Sequence, residues 1–315
     1  MGAVVPIGIK PFPVRTVLLV DADPTVENIF ATAFPAGSWV VLHATDNHAA
    51  LAAAESRPYD LILTSERSSG HEDVQLLRRL RLVRPHTRLI ILSDASTPQD
   101  VIASMRAHAF SYFAKPIDYD LLTEMIRLAA DGPTWDDGIE VVSATPEWIR
   151  LMVRADQRTA DRVVHFLAEV ADLPTEERFA VGMASREILM NAVEHGARMD
   201  PSKYLELSYV RAKNMVMCRV KDPGEGFTLD EIPHSAIGSP NEDPMQLLEY
   251  REELGMRPGG YGVLLAQKLV DELIYNQKGN DVLLVKYLNL ERKDAPKGEG
   301  TAAPTQANDA PPSVG

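Results

Sequence analysis

Between Arg15 and about residue 130, short apolar runs alternate with amphipathic stretches. Val17-Leu18-Leu19-Val20, Tyr59 to Leu63, Arg88 to Leu92 and Ser111 to Ala114 are too short and too continuously apolar for surface helices, and read as strands buried on both faces. Between and after them, Thr25 to Phe34, Ala49 to Ser56, Val74 to Val83, Pro98 to Ala109 and Tyr119 to Ala130 carry helical spacing. Each is about two to three turns long, enough to cross from one parallel strand to the next in the right-handed sense. The alternation predicts an α/β fold, a doubly wound parallel sheet over residues 15–130.

A run of turn formers and acids, Asp131-Gly132-Pro133 through Asp136-Asp137-Gly138, marks a linker over residues 131–138. A different pattern follows over 139–290. Ile139 to Val142 reads as a strand, Ala155 to Val170 and Thr175 to Gly196 as long helices, and Tyr204 to Val210, Met215 to Lys221 and Asp281 to Leu288 as strands. A further helix opens after the glycines at 259–262 and is expected to run to about Ile274. Helices gathered on a mainly antiparallel sheet make this second domain an α+β sandwich. Residues 292–315 lack a core-forming pattern and are expected to be a disordered tail.

The length of 315 residues agrees with two domains. A balance of 32 Lys+Arg against 45 Asp+Glu, net −13, argues against direct binding to nucleic acid. No apolar run reaches the ~18 residues that span a bilayer, so no membrane partner is expected and a cytoplasmic location is. Cys218, the one cysteine, rules out an internal disulfide and a multi-cysteine zinc site.

Candidate chemistry in the first domain sits where its strands end. Asp21 and Asp23 follow the first strand, Ser93 ends the third of the predicted strands, and Lys115-Pro116 follows the last. Acids at the carboxyl ends of parallel strands can hold a hard cation, although Asp23 before Pro24 also reads as a plain helix cap. In this order, Leu19-Val20-Asp21, the Ser93 strand end and Lys115-Pro116 with its preceding aromatic resemble the receiver domain of two-component response regulators, a flavodoxin-like fold. The resemblance places Ser65 where receivers carry the phosphate-accepting aspartate, and Ala22 in place of one of the paired acids. A serine hydroxyl without a base beside it cannot replace a carboxylate nucleophile. The domain thus resembles a pseudo-receiver that acts by contact with an upstream signalling protein. Glu66 as a permanent charge mimic is disfavoured, because strand alternation turns it away from Ser65.

The second domain carries three polar, glycine-containing segments: Arg186-Glu187-Ile188-Leu189-Met190-Asn191-Ala192-Val193-Glu194-His195-Gly196, Asp222-Pro223-Gly224-Glu225-Gly226, and Pro258-Gly259-Gly260-Tyr261-Gly262. At ~100° per residue Glu187 and Asn191 stack one turn apart, a pairing that suits a site in which the Asn191 carbonyl oxygen ligates Mg2+ and Glu187 polarises a hydroxyl or water nearby. Glycines let a base or phosphate approach the backbone, and a helix start attracts phosphate. Singly, each segment also reads as solvated helix surface, a turn or a loop. As an ordered set they resemble the N box and two glycine boxes of the Bergerat ATPases shared by gyrase, histidine kinases and anti-sigma serine kinases, the last most of all. That resemblance implies ATP and Mg2+ as ligands. It implies Asn191 as the Mg2+ ligand, Glu187 as the base for an acceptor serine, and Asp222 as partner of the adenine amino group. Gly224 and Gly226 would make room for base and lid, and Gly260 and Gly262 would bring phosphates to the helix start. Residues 228–256 would form a long acidic lid.

A histidine kinase is disfavoured, because residues 139–175 offer one helix and not a dimerisation hairpin; His165 reads as a helix-packing side chain. The resemblance implies a serine protein kinase of the anti-sigma type. Its substrate would be an anti-anti-sigma protein and its other partner a sigma factor, and the chain would form a homodimer through the second domain. A different class fits the same residues: an adaptor that binds nucleotide without transferring phosphate. A third reading makes Ser65 itself the substrate, phosphorylated by the second domain of the same or a neighbouring chain.

Overall fold

The computed structural model describes residues 14–64, 67, 69–94, 96–131, 138–226 and 262–288. Ser65, Glu66, Gly260, the 228–256 lid and the 292–315 tail lie outside them. The first domain runs β1 (Arg15–Val20), α1 (Pro24–Thr32), β2 (Trp39–Ala44), α2 (Asn47–Ser56), β3 (Leu61–Leu63), α3 (Gly70–Val83), β4 (Arg88–Ser93), α4 (Pro98–Arg106), β5 (Ser111–Ala114) and α5 (Tyr119–Asp131). All five strands are parallel, in the order β2-β1-β3-β4-β5. The doubly wound sheet is therefore as expected, with one strand more than the pattern disclosed. β2 lies at the sheet edge and is only partly covered, so its apolar residues lack both the continuous burial and the strict alternation that flag a strand.

The second domain runs β6 (Ile139–Thr145), β7 (Trp148–Arg154), α6 (Gln157–Ala171), α7 (Thr175–Asn191), a π-helical turn (Ala192–Gly196), β8 (Tyr204–Arg211), β9 (Met215–Lys221), α8 (Gly262–Leu269), β10 (Glu272–Tyr275) and β11 (Asp281–Tyr287). Its six strands are antiparallel, in the order β10-β11-β9-β8-β7-β6. Two expectations need correction. β7 was not anticipated, although Ile149, Leu151 and Val153 alternate inward. The helix expected to reach Ile274 stops at Leu269, and Leu273 to Tyr275 pair with β11. No Gly or Pro separates helix from strand there, so the sequence offers no stop signal.

Alternation along the first sheet creates two cores. Val17, Leu19, Leu61, Leu63, Ile90 and Leu92 pack under α1 and α5. Leu18, Val20, Ile62, Leu89, Ile91 and Tyr112 face the α2–α4 layer, and that apolar cluster continues without a break into the core of the second domain. His165 is 4% exposed, with its ring 4.3 Å from that of Phe113, so it is indeed a packing side chain, set between the domains. No helix among the described residues is long and apolar enough to cross a membrane.

Candidate functional site

Because the first sheet is wholly parallel, the residues that follow β1, end β4 and follow β5 share one edge. Asp21, Asp23, Ser93 and Lys115 are thus brought to the same end of the sheet, as the sequence predicts. Each charged member already has a protein partner. Asp21, in a left-handed conformation at φ 43, pairs with Arg67. Lys115 Nζ lies 3.1 Å from Asp94 Oδ1. Asp23 accepts from Thr25 N at 2.8 Å and caps α1, and the Thr25 hydroxyl and amide hold its carboxyl below the usual range. The capping reading of Asp23 therefore holds. Ser93 is fully buried, and beside it Leu92 N donates to Thr64 Oγ1 at 2.9 Å, tying the end of β3 to β4. Arg67 and Asp94 were not anticipated. Asp94 is the neighbour of Ser93 and was open to inference, whereas nothing in the pattern singles out Arg67.

In the second domain the segments converge on the end of α7. Glu187 is 8% exposed, which excludes the solvated-surface reading, and Asn191 follows one turn later, half-buried. A Cβ placed on Gly262 would lie 2.4 Å from Glu187 Oε2, so the start of α8 rests directly against this carboxylate. Arg186 donates through Nε to Asp161 Oδ1 at 2.8 Å, and its Nη1 stands 3.9 Å from Glu187 Oε1. The π-helical turn then swings Gly196 onto Asp222, where a Cβ would meet the Asp222 carboxylate at 2.2 Å. Any side chain at position 196 would displace it.

Asp222 Oδ1 accepts from Gly224 N at 2.8 Å, and burial pushes its carboxyl above the ordinary value. The surrounding turn is held from the β10–β11 hairpin. Asp222 N donates to Asn280 O at 3.0 Å, Asn280 Nδ2 donates to Gly224 O at 3.2 Å, and Lys278 Nζ donates to the same oxygen at 3.1 Å. The two glycines face protein. Gly224 approaches Gly196, and at Gly226, with φ +85, a Cβ would fall 1.7 Å from Lys278 O. Lys278 and Asn280 are missed by sequence reasoning, because they are ordinary polar residues of a hairpin turn distant in sequence.

The amide oxygen of Asn191 fits a hard cation such as Mg2+, which takes few protein ligands and keeps its water, and the Glu187 carboxylate stands one turn before it. Among the described residues no cluster of three or more His, Cys, Asp or Glu offers a denser metal site. The carboxylate of Asp222, packed against Gly196 and Gly224, fits an exocyclic amino donor.

Residues 17–127 match the response regulator receiver domain family, and residues 153–286 match the histidine kinase-like ATPase domain family. The serine-protein kinase RsbW of Oceanobacillus iheyensis is 26% identical over 160 residues, 50% of this chain and 91% of that protein. The transcriptional regulatory protein ZraR of Salmonella typhimurium is 26% identical over 129 residues, 41% of this chain. The chain spans only 29% of the length of ZraR. A CheY-like receiver domain structure from Methanospirillum hungatei covers 38% of this chain and 94% of its own, at 23% identity and a TM-score of 0.33. The chain joins a response regulator receiver domain to a histidine kinase-like ATPase domain.

Proposed function

We propose that this signalling protein is an ATP- and Mg2+-dependent serine protein kinase of the anti-sigma type, acting on a small anti-anti-sigma protein. The observation that carries the reading is the convergence of Glu187, Asn191 and Asp222 at the end of α7, held by glycine contacts at 196, 224 and 262. The likeness to RsbW across nearly all of that kinase supports it. Asp222 accepts the adenine amino group, Asn191 offers its amide oxygen to the cation, and the start of α8 with Gly262 faces the phosphates. Mg2+ supplies charge neutralisation at the phosphates when bound. Glu187 takes the proton of the acceptor serine hydroxyl as that oxygen bonds to the γ-phosphorus and ADP departs. Positioning and charge do most of the work in such transfers, so this small set of groups suffices.

The receiver then regulates through contact, and a sigma factor, an upstream signalling protein and a second copy of the chain are the expected partners. The adaptor reading is favoured by one observation: Glu187 Oε2 packs against Gly262 instead of standing open to a substrate. The two readings separate with γ-labelled ATP, Mg2+ and an anti-anti-sigma protein from the same genome. Label on a serine of that protein, reduced about a hundredfold or more by Glu187→Gln, is the kinase result. Nucleotide binding with no label transferred is the adaptor result.

A further inference from the structure

Among the described residues β5 is the outer strand of the receiver sheet, so one side of it carries backbone groups that none of their strands pairs. Helix α6 of the ATPase domain covers that side with three polar side chains spaced along one helix face. Arg162 Nε donates to Phe110 O at 2.8 Å, with its guanidinium 4.3 Å from the Phe110 ring centre. His165 meets Tyr112 O through Nε2 at 2.6 Å; a carbonyl only accepts, so Nε2 carries the proton. Ala114 N donates to Glu169 Oε2 at 3.2 Å. Arg162, His165 and Glu169 fall at i, i+3 and i+7, the spacing of one helix stripe, while Tyr112 and Ala114 alternate outward from the strand. Arg106 of α4 adds a bond to Ala144 O of β6 at 2.9 Å.

The same helix reaches the nucleotide site on its other side. Asp161, adjacent to Arg162, receives Arg186, which stands beside Glu187. Ala114, held by Glu169, immediately precedes Lys115 of the receiver crevice. One rigid element therefore touches the crevice end of β5 and the base-bearing turn of α7.

The geometry points to α6 as a coupling helix: Arg162, His165 and Glu169 clamp the open edge of β5, and Asp161 passes a displacement of that edge through Arg186 to the Glu187–Asn191 turn. The clamp stands on contacts in the structure, while its meaning for nucleotide chemistry rests on the function proposed above. Arg162, His165, Glu169 and Asp161 are positioning residues and touch no substrate.

Amide hydrogen exchange on the full chain tests this without a known ligand. At pH 7 or above, Glu169→Ala is expected to raise exchange at Ala114 about tenfold or more and also to raise it over residues 186–196; Glu169→Gln, which keeps an acceptor oxygen, restores both. Asp161→Ala, which removes the acceptor of Arg186, is expected to leave Ala114 protected in the otherwise natural chain, and, combined with Glu169→Ala, to stop the effect at β5. Faster exchange at Ala114 with residues 186–196 unchanged in Glu169→Ala overturns the coupling, and so does failure of Glu169→Gln to restore protection. If MgATP protects neither 186–196 nor 222–226 in the natural chain, the nucleotide reading fails, and the exchange result for the clamp still stands by itself.

Discussion

At the scale of single residues, Asp222 and the glycines around it set the terms of the site. Burial raises the Asp222 pKa, so the folded domain favours the neutral carboxyl, and ionising it costs stability. The sign follows: this group's contribution to stability is largest at low pH and is lost as pH rises through its folded pKa. Asp222→Asn keeps an acceptor for Gly224 N while removing the charge. It is expected to weaken ATP binding by roughly 10- to 100-fold by calorimetry, with a melting temperature equal to or above that of the natural protein. Gly226→Ala is expected to destabilise by about 1–3 kcal/mol or more in denaturant titration, because φ is +85 and Lys278 O occupies the Cβ position. Gly182→Ala is the control: it lies within α7 with nothing within 4 Å, and should stabilise by about 0.5–1 kcal/mol. The sequence already displayed Glu187, Asn191, Asp222 and their glycines, because rare residue types cluster there. Asn280, Lys278 and Arg67 were illegible, since their roles arise from where a distant turn or loop lands.

At the scale of elements, the seam between α6 and β5 holds two titratable groups moved in opposite directions. Burial lifts Glu169 from 4.5 to about 7, opposed by the bond from Ala114 and by Arg178 of α7. Burial lowers His165 from 6.5 to about 4, opposed by the bond to Tyr112 and by Asp118 after β5. The docked seam therefore binds an extra proton on Glu169 between those two values, while the opened seam binds an extra proton on His165 between its own. In the overlapping range the two effects cancel, and the natural seam should change little from pH 6.5 down to about 5. Single variants unmask each half. With His165→Gln the seam should tighten about tenfold per pH unit on acidification from 7, and with Glu169→Gln it should loosen about tenfold per unit below 6.5. The opening equilibrium at the Ala114 amide, corrected for intrinsic exchange, measures both. Equal pH profiles in all three proteins would contradict the assignment. His165 was legible as a buried packing residue, but not as one that packs on another domain. The same limit applied to β2 and β10, whose existence depends on neighbours that a local pattern does not name, whereas β7 carried its alternation in the sequence itself.

At the scale of the whole molecule, the α2–α4 layer of the receiver and the inner face of the ATPase sheet share one apolar cluster, so the two domains are built as a unit and not as beads on a linker. Both fold classes were readable from strand and helix order alone, because a parallel doubly wound sheet and an antiparallel α+β sheet leave different rhythms in the chain. Their junction was not, because its contacts pair residues some fifty positions apart, as in Arg162 with Phe110 and Glu169 with Ala114. The proposed function requires that the end of α7, Asp222 and Gly262 form a working nucleotide site. Titration calorimetry of ATP into the full chain, with and without Mg2+, and into its Asn191→Ala variant tests this most directly. Saturable binding that needs both Mg2+ and Asn191 is expected; absence of binding, or binding indifferent to both, would overturn the proposed function.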